Sequence, residues 1–178
     1  LTGASDSGVQ FARKGMETQV IFDLQHFSVE SSQVEAVVID TDSRSVPSET
    51  AYGSVKEAAE RVKQIGFIHI YKKMDSTLRG NLGIELDAVM DAIPFDFAVV
   101  APAFPKIGRT TVNGIHMLNG VPVHETDIAN DPKCPVKESD LVKLFSGQSK
   151  RKAGLITLDT LHAGEAQTAE AIGKLRAD

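Results

Sequence analysis

Ala36-Val37-Val38-Ile39-Asp40 is an unbroken apolar run closed by an aspartate. A strand with one wet face alternates apolar and polar residues. A continuous run is what a strand covered on both faces requires. Phe67 to Tyr71, Phe97 to Ala101 and Ala153 to Leu158 read the same way, and Gln19 to Phe22 is a shorter strand. Helical patterns lie between them. Pro47 suits a first helical turn, where its missing N–H costs nothing. Ala51, Val55, Ala58, Val62 and Ile65 then recur at spacings of four and three, an apolar stripe that Gly66 ends. Leu82, Leu86, Val89, Met90 and Ile93 mark a helix from about Gly83 to Ile93, stopped by Pro94. Ala4 to Lys14, Ser139 to Phe145 and Gly164 to Leu175 are further helices. This alternation predicts an α/β fold, a mostly parallel doubly wound sheet with helices on both faces. Asn119-Gly120, set between Ile115–Leu118 and Val121–His124, adds a β-hairpin near residues 115–124. Gln25 to Glu35 is polar and reads as a loop.

The 178 residues suffice for one domain with a real core. With 42% hydrophobic and 24% charged residues the chain reads as soluble and globular. No apolar run approaches a membrane span, so no membrane association is expected. A net charge of −5 argues against a nucleic-acid partner. Cys134 is the single cysteine, and no signal peptide opens the chain, which together predict a cytoplasmic protein. Leu1-Thr2-Gly3-Ala4 reads as a strand-to-helix turn without its strand, so the expectation is that the numbering begins part-way into a longer polypeptide.

Ligands of open α/β sheets bind beyond the carboxyl ends of the strands. Four segments answer to that place: Thr2–Gly8, Asp40–Arg44, Lys72–Gly80 and Pro102–Thr111. They bring Arg44, Lys73, Arg79 and Arg109 to one sheet edge. Such a cluster repels itself when empty, and an anionic ligand resolves the repulsion. Arginine grips a carboxylate through two parallel hydrogen bonds. Asp6, Asp42 and Asp75 share these loops and suit holding or deprotonating hydroxyls. The blander alternatives are a local Asp42–Arg44 ion pair and helix capping by Asp75 or Ser76. Gly3 and Gly8 have the spacing of a phosphate loop, but Val9-Gln10 replaces the lysine and hydroxyl residue that would follow. The five histidines show no metal spacing, so no metal site is expected, and His69 reads as a core histidine. Pro122 favours an edge strand, which admits a homodimer.

Lys73-Met74-Asp75-Ser76-Thr77-Leu78-Arg79-Gly80, Pro102–Pro105 with Gly108-Arg109-Thr110, Thr41–Arg44 and the opening Leu1–Asp6 resemble the four-carbon acid sugar kinases. The match spans about residues 1 to 126. The resemblance implies that residues 1–178 form a single substrate-binding domain, and that a C-terminal ATP-binding domain lies outside the chain. The enzyme would be a phosphotransferase acting on the C4 hydroxyl of threonate, erythronate or 3-oxo-tetronate. ATP and Mg2+ would be held mainly by the other domain, and the fragment alone would be inactive. Carried over, Asp6, Arg44, Lys73, Met74, Asp75, Ser76, Arg79 and Arg109 are substrate contacts, with Asp75 and Asp6 the catalytic candidates. Two other classes stand beside this reading. One is a Schiff-base aldolase using Lys73. The other is a non-catalytic binding or effector protein.

Overall fold

The computed structural model describes residues 2–26 and 34–177. Most of the expected loop between Gln25 and Glu35 therefore lies outside the described residues. Helix α1 (Thr2–Ala12) packs on strands β1 (Thr18–Ile21) and β2 (Ala36–Ile39), which pair in parallel with Thr18 opposite Ala36. Gly8 makes that packing close, since a Cβ there would stand 2.7 Å from a Val20 methyl. Helix α2 (Ser48–Ile65) ends at Gly66, whose φ of 88° is the left-handed stop expected of it. Helix α3 (Leu82–Ala92) lies against α2, and Val55, Ala59, Ala88, Val89 and Ala92 form their shared core.

A second core gathers Leu78, Leu82, Val123, Val136, Leu144 and Phe145. It joins α3 to helix α4 (Leu141–Gln148) and to a three-stranded antiparallel sheet. That sheet is β3 (Arg109–Val112), β4 (Ile115–Leu118) and β5 (Val121–Pro122), in the order β3-β4-β5. The expected hairpin is present, with Pro122 on an edge strand. The sheet also has a first hairpin, turned at Asn113-Gly114. Asn113, Gly114, Asn119 and Gly120 all have positive φ, as two-residue hairpin turns demand. Helices α5 (Leu158–His162) and α6 (Glu165–Ala177) complete the described chain.

The fold is mixed α/β, but among the described residues no doubly wound parallel sheet is present. The parallel sheet has two strands. Phe67–Tyr71, Phe97–Ala101 and Ala153–Leu158 carry no strand ladder, and α5 begins at Leu158. A ladder needs a neighbouring edge about 4.8 Å away. An open cavity instead separates β2 from the 67–75 segment. Ile68, Tyr71 and Val99 are correspondingly 86%, 72% and 79% exposed. Apolar runs record what a segment would bury and are silent about whether a partner edge lies alongside.

Candidate functional site

The cavity between β2 and the 67–75 segment has a volume of about 610 Å³. Its deep part is apolar, walled by Val37, Val55, Ala58, Val62 and Ile70. Its polar end is formed by the two loops singled out in the sequence, with Asp42 and Arg44 on one side and Lys73, Met74, Asp75 and Arg79 on the other.

Asp75 organises this polar end. One of its oxygens accepts from Arg44 Nη1 at 2.9 Å and from Arg79 Nε at 3.1 Å. The other accepts from the Thr77 amide at 2.7 Å and from the Thr77 hydroxyl. Burial pushes the Asp75 carboxyl up, but the Thr77 hydrogen bonds, the Arg79 charge and the Arg44 hydrogen bond outweigh it, leaving the group below the ordinary carboxylate range. Arg79 is committed further, with Nη1 donating to Asp131 at 3.2 Å. Asp131 is in turn fixed by the backbone amides of Lys133 and Cys134.

The local chain explains why this arrangement forms. Leu78 is 2% exposed with φ 65°, and Gly80 follows with φ 93°. A Cβ at Gly80 would stand 2.7 Å from Arg44 Cγ and 2.8 Å from the Arg44 carbonyl oxygen. The buried leucine anchors the turn, and the glycine lets the Arg44 backbone close over it.

Five of the eight expected contacts therefore meet at one cavity: Arg44, Lys73, Met74, Asp75 and Arg79. The other three stand elsewhere. Asp6 is on the exposed side of α1 and is not part of the cavity wall. Ser76 contributes its carbonyl to a hydrogen bond with His116. Arg109 sits on β3, away from the cavity, with no hydrogen-bond partner for its buried Nε among the described residues. The expected self-repulsion of the cations is largely offset within the protein, because Asp75 and Asp131 face Arg44 and Arg79. Arg44 and Lys73 nonetheless stay exposed, Arg44 with 57% of its side chain in solvent.

Sequence reasoning missed Glu85 and His116, as it missed Asp131. Glu85, on the first turn of α3, accepts from Ser43 Oγ at 2.7 Å and from Lys72 Nζ. His116, fully buried, has Nε2 2.9 Å from the Ser76 carbonyl and Nδ1 2.9 Å from Thr111 Oγ1. It is the core histidine, whereas His69 is exposed on the cavity wall. A signal for Glu85 was available: it lies three residues after Leu82 and four before Val89, which puts a carboxylate on an apolar stripe.

Comparison with known proteins identifies the family of the chain. The family model described as a sugar-binding N-terminal domain matches residues 1–178. The chain is 41% identical to the D-erythronate kinase of Heliobacterium modesticaldum, over 97% of its own length and 40% of the relative's. It is 38% identical to the D-threonate kinase of Salmonella typhimurium, over 93% of its own length and 42% of the relative's. The chain thus spans about two fifths of the curated relatives it matches. Among solved structures, a Haemophilus influenzae protein superposes with a TM-score of 0.91 at 32% identity, covering 99% of this chain and 44% of that one. With a cation-lined cavity at the strand-end loops and a match over its whole length, the chain belongs to the family of sugar-binding N-terminal domains.

Proposed function

We propose that the chain is the acid-sugar-binding domain of an ATP-dependent kinase that phosphorylates the C4 hydroxyl of a four-carbon acid sugar: erythronate, threonate or 3-oxo-tetronate. The observation that carries this reading is the pair of exposed cations, Arg44 and Lys73, on the two loops that line one cavity, with Arg44 held by a deprotonated Asp75. Arg44 gives Nη1 to Asp75, and its remaining N–H donors suit a substrate carboxylate. Lys73 supplies a second positive point on the facing loop. Asp75 holds Arg44 and Arg79 in place. Its lowered pKa makes it a weak proton acceptor, which suits phosphoryl transfer, a reaction that depends chiefly on positioning and charge neutralisation.

ATP and Mg2+ belong to such a reaction, but the described residues do not fit them. Gly3 and Gly8 lie within helix α1 and form no phosphate loop. Among the described residues no three His, Cys, Asp or Glu side chains gather as a metal site. We assign acid-sugar binding to this chain, and nucleotide binding to the portion of the relatives' length that it does not span. No observation favours the aldolase or effector readings. Lys73 is exposed, whereas Schiff-base lysines sit in desolvated pockets.

Thermal unfolding with D-erythronate, D-threonate or ATP tests the proposal. Saturation at about 100 times Kd adds roughly 2.7 kcal/mol, which at this size raises Tm by about 5 °C or more. The expected result is a rise with an acid sugar, diminished in Arg44→Ala, and none with ATP. A rise with ATP alone, or no rise with any acid sugar, overturns it.

A further inference from the structure

Two loops flank the polar end of the cavity, and neither is held there by a sheet ladder on its cavity side. Both are tied to one buried carboxylate. Glu85 is 5% exposed on the first turn of α3, where the helix dipole favours a negative charge. One of its oxygens accepts from Ser43 Oγ at 2.7 Å. Because that hydroxyl proton is committed, the Ser43 oxygen accepts from Thr41 Oγ1 at 2.9 Å. The other Glu85 oxygen accepts from Lys72 Nζ, which also donates to the Lys73 carbonyl at 3.3 Å. The string runs Thr41, Ser43, Glu85, Lys72, Lys73 and spans the cavity from one loop to the other.

Asp42 lies inside that string with φ 44°, a left-handed conformation that costs a non-glycine residue free energy. The hydroxyls on either side of it hold the loop in this shape and so fix where Asp42 and Arg44 stand. Lys72 has a second effect. It neutralises Glu85, so that the carboxylate at the cavity wall does not repel an incoming anion.

We infer that Glu85 is a positioning residue of the acid-sugar site, setting the separation of Arg44 and Lys73 through Ser43 and Lys72. This rests on the acid-sugar reading above. Ser43→Ala cuts the tether to one loop and Glu85→Gln the ion pair to the other. Isothermal titration of D-erythronate and D-threonate into each variant reads the effect. Asp91→Asn, on the same helix but outside the cavity wall, serves as a variant whose stability is altered at a remove from the site.

The expected result is binding roughly tenfold weaker in Ser43→Ala and in Glu85→Gln, the size of one lost hydrogen bond to a charged group. Asp91→Asn should bind as wild type. The Ser43→Ala/Glu85→Gln double variant should be little weaker than the worse single one, because both changes act through the same carboxylate. Wild-type affinity in a folded Ser43→Ala chain overturns the inference, and so does equal weakening in Asp91→Asn. Should the wild-type chain bind neither acid sugar, the acid-sugar reading itself falls and takes this inference with it.

Discussion

A single buried imidazole links the hairpin sheet to the loop that carries Asp75. His116 is fully buried, with Nε2–H donating to the Ser76 carbonyl and Nδ1 accepting from the Thr111 hydroxyl. Burial pushes its pKa below the ordinary 6.5, the Ser76 carbonyl pulls it back up, and the Arg109 charge adds to the fall. The folded chain therefore resists a proton that the unfolded chain accepts. Stability from this group is complete above about pH 6.5 and is lost progressively as pH falls from there through the lowered folded value. Asp75 and Asp87 are held below 3.8 and keep their charges across that window, so they do not mask the effect. Urea denaturation at pH 7.5 and pH 5.5 should show a loss of up to about 1 kcal/mol in wild type. His116→Gln should be less stable throughout and should lack this component of the pH dependence. An unchanged pH dependence in that variant would remove His116 as its source. Neither partner of this histidine is adjacent to it in sequence, so its position in an alternating β4 pattern gave no sign of the role.

At the scale of elements, α1, α2, α3, α4 and α6 were legible in outline from their own patterns and punctuation, whereas the short α5 was not. Gly66 stops α2 in a left-handed conformation, and Asp140 caps α4 by accepting from the Lys143 amide at 3.1 Å. The interior strands were not legible, because a ladder depends on a partner edge that no local pattern specifies. The tie between α3 and the segment after α4 was hidden for the same reason. Asp87, 3% exposed, accepts from Ser149 Oγ at 2.7 Å, the Lys150 amide at 2.8 Å and Arg151 Nη1 at 2.7 Å. One turn on, Asp91 accepts from Lys150 Nζ and Arg151 Nη2, each at 2.6 Å, and from the Tyr52 hydroxyl at 2.7 Å. The two carboxylates differ in burial, and so in what their partners are worth. Asp87→Ala leaves the Ser149 hydroxyl and the Lys150 amide without their acceptor and takes one of its two carboxylates from Arg151, and should cost about 3 kcal/mol. Lys150→Ala removes a largely exposed ammonium, leaves the amide bond to Asp87 intact, and should shift the urea midpoint far less. Equal shifts of the urea midpoint in the two variants would contradict this ordering.

Across the whole molecule, charge sets up a contest that the candidate site must win. The protein carries a net charge of −5, which opposes the approach of an anion. The site was readable from the sequence as a run of loops because Lys73-Met74-Asp75-Ser76-Thr77-Leu78-Arg79-Gly80 is continuous. Its electrostatics were not readable, since Asp131 lies 52 residues from the Arg79 it engages. That distant pairing decides the balance. With Asp75 shared by Arg44 and Arg79, Asp131 on Arg79, and Lys72 matched by Glu85, the donors left facing solvent at the cavity mouth are those of the exposed Arg44 and Lys73. Both are exposed, so both are screened by salt, with a Debye length of about 10 Å at 0.1 M. Acid-sugar affinity should therefore fall as ionic strength rises from about 0.05 to 0.5 M, by several-fold. The more distant net charge is screened over the same range, which softens the slope without reversing it, because the bound anion lies within contact distance of the two cations and much farther from most of the carboxylates. Arg44→Ala should bind more weakly and with a shallower salt dependence, having lost one of the two screened attractions. Titration of both proteins at three salt concentrations measures the slopes. Parallel slopes for wild type and Arg44→Ala would mean that Arg44 does not face the ligand, and would move the carboxylate grip to Lys73.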